Sequence, residues 1–270
     1  MYIIRIVRVR ALKPLALLVC LAVVALSATS CANPLARQYE YDEQTYLAID
    51  GSATVVLSAS VAALVSMRGL PLDPSPQARI TSDDVRRVFE AAGCEVERAA
   101  RPWRRNGRRF VQARLHIADV RKATSCGVLA WSSYGFEVSP EQIRYTQTVG
   151  APAGTVPATA PSGIAWNGSE LVAFKLHLPS RVTYHNVRRL EDGTEGELER
   201  GNILTWEQRL SDRLAGTPIA IEVRTESESI LFRTVSLFAG AFAAAVIVLV
   251  LLIWFTIRRG RARLRAFRKP

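Results

Sequence analysis

The side chains best suited to chemistry in this 270-residue chain are four cysteines and three histidines. His177 and His185 are separated by a proline-containing segment whose length matches no common metal-binding spacing, and His116 stands apart from both. The chain contains no Gly-x-Ser-x-Gly, His-Glu-x-x-His or Cys-x-x-Cys sequence. We therefore expect no catalytic residue, no metal site and no cofactor, and we predict that the protein is not an enzyme.

Cys31 follows a segment that is typical of an export signal. Four basic residues precede an apolar run from Leu15 to Leu26, and small residues then lead to the cysteine. As a helix, this run would be about 18 Å long, which is too short for a hydrocarbon core of about 30 Å. We predict that residues 1–30 form a signal peptide that is removed.

The sequence Ala28-Thr29-Ser30-Cys31 resembles the lipobox of bacterial lipoproteins, in which the cysteine thiol accepts diacylglycerol. It differs from the usual pattern because Ala28 stands where leucine is commonest. We predict that Cys31 is lipidated. The alternatives are ordinary signal-peptidase cleavage after Ser30 or Ala32, and a signal that stays in place as an anchor.

Cys94 and Cys126 are the two cysteines that remain, and export would place them in an oxidising compartment. A disulfide between them would close a loop of about 32 residues and stabilise the fold by roughly 3 kcal/mol. Two buried free thiols are the alternative, because the sequence does not give the distance between the two Cα atoms.

The C-terminal region has the pattern of a membrane anchor. Residues 235–257 are 23 uncharged residues, which as a helix would be about 35 Å long and would span a bilayer. Seven basic residues follow in the segment 258–270. By the positive-inside rule we predict a single transmembrane helix at 235–257 and a cytoplasmic tail at 258–270. The predicted location is the cytoplasmic (inner) membrane of a bacterium.

The net charge of +11 comes from 35 basic and 24 acidic residues. Four of the basic residues lie in the segment 1–30 and seven in the segment 258–270, so that the part between them is neutral. Because the excess charge flanks the two apolar runs, it indicates membrane topology, and we expect no nucleic-acid partner.

Residues 31–232 are predicted to form an extracytoplasmic α+β domain, mainly an antiparallel sheet with one or two packed helices. Asp50-Gly51 predicts a hairpin turn between strands at 39–49 and 53–59. Thr81 and Asp84 predict a capping box at the start of a helix that ends at Gly93.

Two further segments stand out in this domain. Asn106-Gly107 predicts a second hairpin. The segment 150–168 is rich in Ala, Pro, Gly and Thr, which predicts either a long surface loop or a seam between two subdomains.

The second hairpin carries six arginines around one tryptophan, in a domain that is otherwise balanced in charge. Our hypothesis is that its tip contacts the headgroups of anionic lipids. The predicted contact residues are Arg101, Trp103, Arg104, Arg105, Arg108 and Arg109. The alternative is a solvated tip whose arginines pair with Glu95 and Glu97.

The order of these features resembles that of the mycobacterial LppM-type lipoproteins and their bacterial relatives. The resemblance covers the signal and cysteine, the Asp50-Gly51-Ser52 turn, the helix ending in Gly93, the arginine-rich hairpin, the segments 173–186 and 201–206, and the terminal span. It implies a membrane-anchored α+β domain that binds lipid or glycolipid, and it identifies no binding residue.

Two functions follow as hypotheses. The first is a non-enzymatic envelope protein, anchored at both ends, whose domain binds lipid or glycolipid in an apolar pocket or groove. The second is a scaffold that docks an envelope protein. An apolar cavity large enough for an acyl chain would favour the first hypothesis.

Overall fold

Two β-sheets share one hydrophobic core in the computed structural model, which describes residues 37–151, 166–199 and 202–266. The first sheet contains β1 (Tyr39–Leu47), β2 (Ala53–Ser60), β3 (Glu95–Ala99), β4 (Trp103–Arg105), β5 (Arg108–Ile117), β8 (Leu171–His177) and β10 (Ile203–Arg209). The second contains β6 (Ser132–Val138), β7 (Gln142–Val149), β9 (Val182–His185) and β11 (Ile219–Glu226). The helices are α1 (Val61–Arg68), α2 (Ser82–Ala91), α3 (Leu210–Leu214) and α4 (Ile230–Ala266), and a 3₁₀ helix covers Val120–Ser125.

The strand order is β10-β8-β1-β2-β5-β3 in the first sheet, where β4 also pairs with β5, and β6-β7-β11-β9 in the second. All pairs are antiparallel except β1 with β8. The α+β class and the mainly antiparallel sheet expected from the sequence are therefore confirmed. The parallel pair was not expected, because two parallel strands far apart in sequence leave no local turn signal.

The first hairpin forms as predicted. Gly51 lies between β1 and β2 with a φ of +86°, and a Cβ atom at this position would come within 2.8 Å of the Phe136 ring. The alternation of residues 39–49 predicts that Ile49 faces inward and Glu40 outward, and both predictions are wrong. Ile49 lies beyond β1 and is exposed, and Glu40 is buried. Glu43, between Tyr41 and Thr45, is also buried in the core.

The predicted helix at α2 is also confirmed. The Thr81 hydroxyl accepts from the backbone N–H of Asp84, and the Asp84 carboxylate accepts from the backbone N–H of Thr81. Val85 and Phe89 are the residues that α2 buries. Gly93 follows with a φ of +79°, where a Cβ would lie 2.8 Å from the Ser125 carbonyl oxygen.

Helix α1 was not predicted from the sequence. The Ser60 side chain caps its first turn by accepting from the N–H of Ala63, and Gly69 ends it in the left-handed conformation. The helix is buried on nearly all sides. A helix without a polar face has no amphipathic periodicity, so its sequence continues the apolar pattern of β2.

The second predicted hairpin is formed by β4 and β5 around Asn106 and Gly107, which both have positive φ. The sequence predicts 94–100 and 110–117 as the two strands of this hairpin, but the first of them contains β3, which pairs farther along β5. The alternation of 110–117 predicts that Val111, Ala113, Leu115 and Ile117 face the core, and this is confirmed.

Helix α4 contains the one candidate membrane span among the described residues, Thr234–Arg258, which is 25 residues long. The most apolar part of this span is not buried by the rest of the protein. This agrees with the predicted span at 235–257. The predicted signal peptide, Cys31 and residues 267–270 lie outside the described residues. So does most of the segment 150–168, and the strands on its two sides, β7 and β8, belong to different sheets.

Candidate functional site

The sulfur atoms of Cys94 and Cys126 are bonded to each other. Both side chains are buried. The bond joins the segment that follows α2 to the end of the 3₁₀ helix, across a sequence separation of 32 residues. It therefore fixes α2 against the segment that leads into the second sheet.

The arginines of the β4–β5 hairpin are largely engaged by the protein itself. Arg108 lies 2.8 Å from a carboxylate oxygen of Glu40 and 3.5 Å from one of Glu170. Arg105 packs over the Phe110 ring at 4.1 Å and donates to the backbone oxygen of Tyr39. These contacts attach the hairpin to the start of β1.

The outer residues of the hairpin are more exposed. Trp103 stacks on Phe110 with ring centroids 5.7 Å apart, and 37% of it remains exposed. Arg104 is exposed and donates to the backbone oxygen of Pro76. Arg101 is exposed and Arg109 is half-buried. The predicted contact residues are thus brought together in one hairpin, and their contact with headgroups stays a prediction.

The hairpin lies at the end of the first sheet opposite to α4. Arg105 contacts Tyr39 at the start of β1, whereas the parallel strand β8 ends beside Tyr46 and leads to Pro179. The carbonyl oxygen of Pro179 accepts from the Ser229 hydroxyl, directly before α4. At about 3.3 Å per residue, the seven steps from Tyr39 to Tyr46 separate these two ends by roughly 23 Å.

The end of the second sheet is hydrogen-bonded to the start of α4. The Ser227 hydroxyl donates to the Pro140 carbonyl oxygen at 2.7 Å, in the turn between β6 and β7. The backbone N–H of Glu226 donates to the Arg181 carbonyl oxygen at 2.9 Å, just before β9. Val138, Arg181 and Tyr184 are exposed at this end. We call Val138, Pro140, Arg181 and Tyr184 the helix-proximal surface.

A third cluster is buried. Trp131 lies between β6 and the 3₁₀ helix, and two guanidinium groups pack over its indole. The Cζ atom of Arg68 is 4.5 Å from the ring centroid and that of Arg213 is 5.3 Å from it. Arg68 is 7% exposed and Arg213 is fully buried. We call these three residues the Arg–Trp–Arg centre.

Glu43 lies near this centre within a buried polar network. Its carboxylate accepts from the Tyr41 hydroxyl at 2.7 Å and from the Gln147 side-chain amide at 3.1 Å, and Gln147 accepts from Tyr145 at 2.9 Å. Burial raises the pKa of Glu43, although these hydrogen bonds and the positive charge of Arg68 oppose the rise. Burial also lowers the pKa of both Arg68 and Arg213.

These residues were not identified from the sequence. Glu43 lies on the same face of β1 as the buried residues Tyr41 and Thr45, so the alternation of this strand could have indicated that Glu43 is buried. Arg68 ends an apolar helix and Arg213 lies in a short polar one, and neither position carries a sequence signal of burial.

Between the sheets, beside Glu43, Phe174 and Trp206, there is no space for a water molecule, so an acyl chain does not fit there. An open groove of about 460 Å³ runs along α2, and one of about 310 Å³ lies beside β9. The groove at α2 is lined by Pro71, Leu72, Asp73, Arg79, Ile80, Asp84, Arg87, Val88 and Ala91.

The histidines do not meet at a metal site. His177 stacks on Tyr46 at 3.9 Å, His185 lies 4.0 Å from Glu195, and His116 lies 3.8 Å from Glu97. Within the described ranges, no group of three or more His, Cys, Asp or Glu side chains is arranged to hold a metal ion.

Comparison with known proteins gives one distant likeness. No family model matches the chain, and no curated protein matches it. Among solved structures, the chain is similar to the NMR structure of the folded domain of the Mycobacterium tuberculosis LppM protein. The TM-score is 0.34 at 11% sequence identity, over 72% of this chain and 94% of that one. This is a loose resemblance of fold, and nothing about ligands follows from it.

Proposed function

We propose that this chain is a non-enzymatic, single-pass protein of the cell envelope whose β domain binds lipid at the bilayer surface. The observation that supports this proposal is the direct connection between the second sheet and α4. Only Ser227, Glu228 and Ser229 separate β11 from the helix.

The connection holds the helix-proximal surface close to the bilayer. The candidate span begins at Thr234, four residues after the first residue of α4, which corresponds to a rise of about 6 Å. The headgroup layer on each side of the hydrocarbon core is of similar thickness. The Pro140 turn and the loop at Arg181, both hydrogen-bonded to residues just before α4, are therefore expected at headgroup level.

The side chains of this surface suit such a position. Val138 is 61% exposed and Tyr184 is 45% exposed, and the Arg181 side chain is 74% exposed although it lies 3.6 Å from Glu226. An apolar side chain, an aromatic ring with a polar end and a cation are the groups that the membrane interface favours. Because the space between the sheets at Phe174 has no room for an acyl chain, we propose that lipid or glycolipid is bound at the surface.

The experiment places a photo-crosslinking amino acid at Val138 of the full-length protein in lipid nanodiscs. The control carries it at Asn106, at the opposite end of the first sheet, in a Cys31→Ala background so that α4 is the one remaining anchor. We expect lipid adducts at Val138 and none at Asn106. Mass spectrometry of lipids that remain bound after gentle purification then identifies the lipid class. Equal labelling at the two positions would contradict the proposal.

Docking of an envelope protein is the second candidate function, and the groove along α2 supports it. Leu72, Ile80 and Val88 give this groove apolar walls, and the ion pair of Asp84 and Arg87 also lines it. An extended peptide segment of a partner would fit such a groove. Crosslinking from Val88 to one protein in intact cells, together with no lipid adduct at Val138, would favour this function.

A further inference from the structure

The Arg–Trp–Arg centre places two positive charges under the protein surface. Arg213 is fully buried and Arg68 is 7% exposed, although arginine is rarely buried without a paired acid. Neither arginine takes part in an ion pair within the described part of the chain. The centre therefore carries positive charge that no carboxylate in direct contact balances.

The two arginines are held in the same way. The Nη2 atom of Arg68 donates to the carbonyl oxygen of Gly127, and that of Arg213 donates to the carbonyl oxygen of Gly150, each at 2.6 Å. The backbone N–H of Gly150 in turn donates a hydrogen bond to the carbonyl oxygen of Trp131. Backbone carbonyls thus position both guanidinium groups over the same indole.

Most donors of the centre remain unused. The Nε and Nη1 atoms of both arginines, and the Nε1 atom of Trp131, are buried and have no hydrogen-bond acceptor in the protein. A buried N–H without an acceptor costs about 1 to 3 kcal/mol, and more when the group is charged. Four guanidinium nitrogen atoms and the Nε1 atom of the indole are therefore donors that a ligand with acceptor oxygens would satisfy.

Glu43 does not serve as that acceptor. Its oxygen atoms receive hydrogen bonds from Tyr41 and Gln147, and it forms no ion pair with Arg68. Its charge acts on Arg68 only at longer range. The network around Glu43 is complete without the arginines, so their donors are available to another group.

We propose that the Arg–Trp–Arg centre is a binding site for a small oxyanion, a phosphate or a carboxylate. Guanidinium groups match the geometry of these anions because their N–H donors can pair with two oxygen atoms at once. The centre lies just below the surface, since Gly69, Gly127 and Ala130 are exposed. The anion is either free in solution or part of a lipid headgroup. This inference uses different residues from the helix-proximal surface and does not depend on the function proposed above.

The first test uses inorganic phosphate. The full-length protein in a neutral detergent, exchanged into phosphate-free buffer, is titrated with phosphate at constant ionic strength. We expect a saturable rise in the unfolding temperature, because an anion bound only to the folded state stabilises it. We also expect broadening of the phosphate ³¹P NMR line. Arg213→Met and Arg68→Met should lose both effects, whereas Arg121→Met should keep them, because Arg121 is exposed and pairs with Asp119.

The second test distinguishes a lipid headgroup from free phosphate. Native mass spectrometry of the wild-type protein, released from nanodiscs that contain phosphatidylglycerol and phosphatidylcholine, measures which lipid remains bound. Retention of phosphatidylglycerol that Arg213→Met abolishes and Arg121→Met preserves would support the site with a lipid as its source. A phosphate effect without lipid retention would support it with a free anion.

The wild-type protein alone can overturn the proposal, so the result does not depend on whether the variants fold. If phosphate leaves both the unfolding temperature and the ³¹P line unchanged, and no anionic lipid is preferentially retained, the centre does not bind an oxyanion. The same conclusion follows if Arg213→Lys, Arg213→Met and Arg68→Met respond as the wild type does. Loss of lipid crosslinking at Val138 would affect only the function proposed above.

Discussion

Arg108 lies 2.8 Å from the carboxylate of Glu40, and the two side chains are only 15% and 4% exposed. The pair joins the arginine-rich hairpin to the first strand of the domain, beside the point where the chain enters it at Tyr39. Glu170, which precedes β8, approaches the same guanidinium at 3.5 Å. The arginine-rich hairpin has the composition of a solvated basic tip, but through Arg108 it also connects two strands of the first sheet to each other.

We expect Arg108→Met to lower the free energy of unfolding by about 2 to 3 kcal/mol, because it leaves the buried carboxylate of Glu40 unpaired. The matched control is Arg101→Met, which removes an exposed arginine of the same segment and should change the free energy by less than about 0.5 kcal/mol. Chemical unfolding of the full-length protein in detergent measures both. Equal effects of the two substitutions would show that the Arg108–Glu40 contact contributes nothing.

Lipidation of Cys31 would limit how far the hairpin can lie from the bilayer. The eight residues from Cys31 to Tyr39 reach at most about 28 Å, and Tyr39 contacts Arg105. We expect Cys31→Ala to abolish labelling by a palmitate analogue while the protein stays in the membrane through α4. A crosslinker at Asn106 should label lipid more strongly in the wild type than in this variant. Palmitate labelling that persists in Cys31→Ala would show that the lipid acceptor is another residue.

The positive-inside rule predicts that the basic residues after the candidate membrane span lie in the cytoplasm. A reporter that is active only outside the cytoplasm should be active when fused after Arg224 and silent when fused after Pro270. The reverse pattern would place the β domain in the cytoplasm and contradict the predicted location. A cytoplasm-active reporter at the same two positions serves as the control and should give the opposite result.

The bond between Cys94 and Cys126 closes a loop of 32 residues. Replacing both cysteines by alanine should lower the free energy of unfolding by about 3 kcal/mol, because the unfolded chain regains the entropy of the open loop. Thermal unfolding with and without a reducing agent measures this difference. The wild type should lose stability in the reducing agent and the double variant should not respond. If the unfolding temperature of the wild type stays the same after complete reduction of the disulfide has been verified, the prediction is refuted.

Glu43 should make stability depend on pH. Burial raises its pKa in the folded protein, so the folded state keeps a proton that the unfolded state releases. This contribution is fully present below the ordinary carboxyl pKa of about 4.3 and is lost as pH rises through the raised value. Relative to Glu43→Gln, the wild type should therefore lose stability as the pH rises from about 4.3 through the raised pKa.

The measurement for Glu43 is the unfolding temperature of both proteins across this pH range. Glu97→Gln is the control, since Glu97 is an exposed carboxylate that pairs with Arg114. A difference between the wild type and Glu43→Gln that is constant with pH would show that Glu43 keeps the same protonation state in the folded and unfolded chains.

Secondary-structure elements were predictable from the sequence where the interactions that form them are between neighbouring residues. Thr81 and Asp84 cap α2 through bonds three residues apart, and the turn at Asn106 needs only its own two residues. The membrane span is a matter of length and apolar composition, which the sequence states directly. These features depend on short-range interactions, so one segment at a time contains the information.

The sites depended on segments that are far apart in the chain. Arg68 at the end of α1 and Arg213 in α3 both pack over Trp131, which directly precedes β6, and no local pattern marks any of the three residues. Glu43 is buried because the second sheet covers its face of β1. The sequence by itself determined the long apolar C-terminal helix, the hairpins and the capped helix. The tertiary structure alone decided that Arg68, Arg213 and Glu43 are buried, and that neither arginine contacts a carboxylate of the described residues. The burial of these side chains depends on how the two sheets and their helices pack, which no single segment of the sequence contains.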